Sequence, residues 1–81
     1  MYDFGYKPAT WREAEDALYY WILRRKSYEA KLTRIEPDSE EFAETMERLF
    51  EVRKELDRLG LRRGQLRYRE LEAQDKLNAR Q

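Results

Sequence analysis

Thr10–Pro37, TWREAEDALYYWILRRKSYEAKLTRIEP, decides the fold. It opens on Thr10-Trp11-Arg12-Glu13, a capping box in which the Thr10 hydroxyl accepts from the third helical amide while Glu13 reaches back to the Thr10 amide. Apolar positions then recur at alternating spacings of four and three, through Trp11, Ala14, Leu18, Trp21, Tyr28, Leu32 and Ile35, with Arg25 in the seam. A helix carrying this pattern runs for roughly 37 Å. Glu36-Pro37 stops it, because proline disfavours helical geometry at the preceding residue and donates no amide hydrogen bond.

Inside this stretch, Ala17–Leu23 is an unbroken apolar and aromatic run, so the helix is apolar on every side there. Leu18 and Trp21 are enough to meet one neighbouring helix. Tyr19, Tyr20, Ile22 and Leu23 are surplus to it, and with Trp21 they form the candidate protein interface. Tyrosine and tryptophan are enriched in interface anchors, and so short a chain has a thin core, which favours association. The expected partner is a second copy, giving a homodimer through this helix, or a protein target.

Working outward, the short loop after Pro37 returns the chain antiparallel, with Asp38 as the expected N-cap and Glu40 and Glu41 in the first turn. The seam of the second helix reads Phe42, Met46, Leu49, Arg53 and Leu56, widened by Ala43, Phe50, Val52 and Leu59. A stripe this wide expects two neighbours. Charge supports the hairpin independently. Arg24, Arg25, Lys26, Lys31 and Arg34 against Glu29 give +4 at the end of the first helix, and six acids between Glu36 and Glu47 give −6 at the start of the second. Both blocks favour their own helix dipoles and sit at the same end of an antiparallel pair.

Leu59-Gly60-Leu61 reads as a Schellman stop, although glycine costs only about 1 kcal/mol inside a helix and a continuous helix through Gly60 and Gly64 is the alternative. With the stop, a third, shorter helix follows. Before the hairpin, Tyr2, Phe4 and Tyr6 alternate with polar residues beside Gly5 and Pro8, which suits an extended arm packed in cis or reaching to another chain. The expected architecture is thus all-α: a coiled-coil-like hairpin of two long helices (10–36 and 38–60), a shorter third helix (62–78) and an extended aromatic N-terminal arm (1–9), in one domain.

Composition narrows the functional classes. Lys+Arg and Asp+Glu number 17 each, so no net charge draws the chain toward nucleic acid or a membrane surface. Without cysteine or histidine there is no thiol nucleophile, no thiolate metal site and none of the commonest general base. An enzyme, a metal and a cofactor are therefore not expected. No signal-peptide pattern or membrane-length apolar run is present, so cytoplasmic residence and no membrane association are the expectation.

Two polar constellations remain. Glu40, Glu44, Glu47 and Glu51, continued by Glu55, form a ladder on the face opposite the expected seam and read as a solvated strip or a docking surface for a basic partner. Arg62, Arg63, Arg67 and Arg69 belong to a basic stretch over 58–69 that would serve the alternative function, a nucleic-acid-binding regulator. Arg25 and Arg53, both expected in the seam, would stack on Trp21 and neighbouring apolar residues or together hold an anion. The leading expectation is a non-enzymatic interaction module: an adaptor, an assembly factor or a small inhibitor of a larger protein.

Overall fold

The computed structural model describes residues 2–79 and contains two helices, α1 (Trp11–Leu32) and α2 (Glu40–Ala79). They pack antiparallel. Lys31 pairs with Glu41 at 3.2 Å beside the turn, and Arg63 bonds to Glu15 near the other end. The first of these pairs joins the basic and acidic blocks that the sequence sets at one end.

α1 begins where the capping box directs. The Thr10 hydroxyl accepts from the Glu13 amide at 3.2 Å, but the Glu13 carboxylate reaches past Thr10 and accepts from the Ala9 amide at 2.7 Å. Glu13 thereby ties the preceding segment to the first turn. The helix ends at Leu32, before the expected stop at Glu36. The Thr33 amide and hydroxyl both donate to the Ala30 carbonyl, which tightens the last turn and releases the chain. The second helix is capped by Ser39 and not by Asp38, because the Ser39 hydroxyl is the group that accepts from the Phe42 amide, at 3.1 Å.

The core cluster is Ala17, Trp21, Val52 and Leu59, with Leu18, Leu56 and Tyr28 packed against it. Ala14 and Ala17 are fully buried, so α1 presents small residues where the helices approach and one large residue, Trp21, as the anchor. On α2 the buried series is Thr45, Leu49, Val52, Leu59 and Leu66, with Leu56 completing it. This corrects the expected register: Thr45 and Val52 occupy the seam in place of Met46 and Arg53, and Arg53 is exposed. Thr45 fits because its hydroxyl donates to the Glu41 carbonyl at 2.8 Å and leaves its methyl for packing.

No third helix separates. α2 runs 40 residues without interruption, and among the described residues Gly5 alone has positive φ. Leu59 and Leu66 lie two turns apart on one buried face, so continuing the helix through Gly60 and Gly64 keeps both on the seam, which offsets roughly 2 kcal/mol of glycine propensity. The result is a rod of 64 × 18 × 18 Å. α1 has only 22 residues, and its first, Trp11, lies against Arg67. The last dozen residues of α2, about 18 Å, therefore extend past α1 with no helix opposite.

The N-terminal segment is folded back and not extended. The Tyr6 amide donates to the Asp3 carbonyl at 3.2 Å around Gly5, whose φ of 84° is one that residues with a Cβ rarely adopt. Its aromatic rings lie on α1: Tyr2 on Tyr20 with centroids 5.4 Å apart, and Phe4 on Trp21 at 4.6 Å.

A Cβ added at Gly60 meets no heavy atom within 4 Å. Gly60→Ala should therefore stabilise the protein by about 0.5–1 kcal/mol in urea unfolding, whereas a helix stop at Gly60 would make the same change destabilising.

Candidate functional site

The aromatic run of α1 divides between three environments. Trp21 is buried at 5% exposure, so it leaves the expected interface set and joins the core. Its rings pack edge-on against Tyr20 at 5.0 Å and under Phe4, while Tyr20 is itself half-buried beneath Tyr2. Ile22 is half-buried as well. Tyr19 and Leu23 remain outside, 66% and 48% exposed, one turn apart on the side of α1 turned away from α2.

The lid over Trp21 is held by a charged pair on α2. Glu55 Oε2 accepts from the Gly5 amide at 2.8 Å, and both carboxylate oxygens accept from Arg58, at 2.7 and 2.9 Å. Arg58 Nη2 also donates to the Tyr6 carbonyl at 2.8 Å. Glu55 is therefore not the outward end of the glutamate ladder, as its spacing from Glu51 suggests, but a buried side chain. It follows Val52 by three residues and precedes Leu59 by four, which sets it at the rim of the seam. That position is the signal that ladder spacing alone conceals.

Glu40, Glu44, Glu47 and Glu51 are all exposed, as the ladder requires. The basic residues do not converge. Arg63 bonds to Glu15, and Arg67 stacks over Trp11 at 4.7 Å while pairing with Glu70 at 3.6 Å. Arg62 is half-buried, and Arg69 is exposed on another side of α2. The tryptophan that a guanidinium covers is thus Trp11, not Trp21. Arg25 is half-buried with Nε 3.4 Å from Glu29, and because Arg53 points to solvent the two expected seam arginines form no joint anion site.

Among the described residues no group of histidine, cysteine, aspartate or glutamate side chains is placed to hold a metal ion, and no helix is long and apolar enough to cross a membrane. No protein-family model matches the chain, and no curated protein or solved structure matches it.

The Arg58 guanidinium and the Gly5 amide hold the Glu55 carboxyl below the usual carboxylate range, against the burial that pushes it up. A carboxyl lowered on folding contributes stability that is present above its ordinary value of about 4.5 and lost as the pH falls through the lowered folded value. Glu55→Gln should accordingly destabilise the protein by about 1–3 kcal/mol at neutral pH and flatten the acid side of its stability profile, read by urea unfolding between about pH 3 and 7. An unchanged profile would contradict the role of the pair. Gly5→Ala, which strains the same turn, should lower stability by about 1 kcal/mol or more in the same assay.

Proposed function

We propose that the chain is a non-enzymatic protein–protein interaction module that serves as an adaptor, an assembly factor or a small inhibitor of a larger protein. The carrying observation is the pair Tyr19 and Leu23, large, exposed and one turn apart on α1, next to half-buried Ile22, in a hairpin whose seam is already filled. A tyrosine with an aliphatic neighbour supplies rigid amphipathic contact area at low entropic cost. The N-terminal lid lies over Tyr20 and Trp21, while Tyr19 and Leu23 stay exposed.

The exposed strip Glu40, Glu44, Glu47 and Glu51 offers a second surface suited to basic side chains. The alternative, nucleic-acid binding through Arg62, Arg63, Arg67 and Arg69, has less support because Arg63 and Arg67 already hold partners inside the molecule.

A photo-crosslinking amino acid at position 19, expressed in the source cells, is expected to give a discrete adduct with another protein. Leu23→Glu should reduce that adduct by tenfold or more, about 1.4 kcal/mol of binding, while leaving helical circular dichroism unchanged. No adduct, or one indifferent to Leu23→Glu, would count against this surface.

A further inference from the structure

The back of α2 carries a second seam that nothing in the molecule covers. Opposite the residues that meet α1, positions spaced alternately by four and three read Ala43, Glu47, Phe50, Lys54, Asp57, Leu61, Gly64, Tyr68 and Leu71. All are exposed, including Phe50 at 54%, Leu61 at 69% and Tyr68 at 67%. Around Leu61 and Tyr68 the surface is concave, floored by Gly60 and Gly64. Four large apolar residues on one face of a charge-rich helix are a cost in water unless something covers them.

The charges on this face identify what covers it. Lys54 and Asp57 lie in the middle of the stripe and form no ion pair within the chain among the described residues. A second copy of α2, turned antiparallel about a two-fold axis level with Glu55 and Leu56, sets Lys54 of each copy against Asp57 of the other. In the same register Phe50 meets Leu61, Ala43 meets Tyr68, Glu47 lies over Gly64, and Glu51 comes beside Arg58. The four central layers, Lys54 with Asp57 and Phe50 with Leu61 in each direction, are thereby matched. A parallel pair would instead stack Lys54 on Lys54 and the acidic strip on itself. Sliding the antiparallel pair by one heptad in one direction sets Asp57 against Leu61, and in the other against Glu47. Both slides part Lys54 from Asp57, so that the central lysine and aspartate of each copy enter the interface without their opposite charges.

We therefore infer that the chain forms an antiparallel homodimer through the back of α2, with paired Lys54–Asp57 contacts at its centre and Phe50–Leu61 layers on each side. This deepens the interaction-module reading by naming one partner, and it uses a different surface from Tyr19 and Leu23. The interface spans residues 43–68, roughly 39 Å of helix, and it leaves the α1 surface of each copy outermost.

Charge swapping tests the register. By sedimentation equilibrium the wild type should dimerise, and Lys54→Glu and Asp57→Lys alone should each weaken the dimer by tenfold or more. Mixing the two variants in equal amounts should restore near-wild-type affinity, because in the mixed dimer the two introduced charges face each other in one central layer and the native Lys54–Asp57 pair is kept in the other. Both positions are exposed, so circular dichroism should stay unchanged. A wild type monomeric at about 200 μM, a dimer indifferent to either single change, or a mixture that fails to re-associate would each overturn the proposal. A monomer would leave the α1 reading standing on its own crosslinking result, and an absent adduct at position 19 would leave the dimer standing on this one.

Discussion

A 22-residue helix cannot cover a 40-residue one, and this mismatch governs the rest of the molecule. Antiparallel packing buries one face of α2 from Thr45 to Leu66 and nothing beyond. In a chain of 81 residues that leaves a small core, so each buried group carries a large share of the stability. The small residues Ala14 and Ala17 let the helices approach, and Trp21 fills the space that results. Its outer edge would still meet water if the hairpin stood alone. The folded N-terminal segment supplies the missing wall, with Phe4 on the indole and Tyr2 on its neighbour Tyr20.

That wall depends on one ion pair with a mixed role, between buried Glu55 and half-buried Arg58. Burying Glu55 is costly in itself, but Arg58 and the Gly5 amide satisfy both carboxylate oxygens, and Arg58 in turn holds the Tyr6 carbonyl. The pair thus holds the segment around Gly5 and Tyr6 as a lid. It also sorts the aromatic run of α1 into structural and exposed members: the lid removes Trp21 and most of Tyr20 from solvent and leaves Tyr19 and Leu23. An α2-paired dimer would display two such α1 surfaces on opposite sides, which favours bivalent binding to a repeated or oligomeric target.

The helical class, the hairpin, the Thr10 start and the end at which the charge blocks meet were legible in the sequence, because each rests on a local rule that tertiary packing did not oppose. The α2 register was not. Met46 and Arg53 against Thr45 and Val52 are two interleaved stripes one residue apart, and a threonine that satisfies its own hydroxyl along the helix reads as polar although it packs as apolar. Gly60 misled for a related reason. Local propensity favours a stop there, but the separation of Leu59 and Leu66 favours continuation, and burial of both outweighs glycine's penalty. The Glu55–Arg58 lock pairs residues 50 and more positions from the segment they hold, a separation no helical periodicity encodes.

The uninterrupted course of α2 underlies both the overhang and the second seam. It is tested most directly by the distance between spin labels at Glu40 and Asn78, measured by pulsed electron resonance in protein diluted with unlabelled chains. A continuous helix places the two positions about 57 Å apart. A chain that turned back at Gly60 into a separate third helix would bring them within about 30 Å, and a distribution centred there would contradict the account.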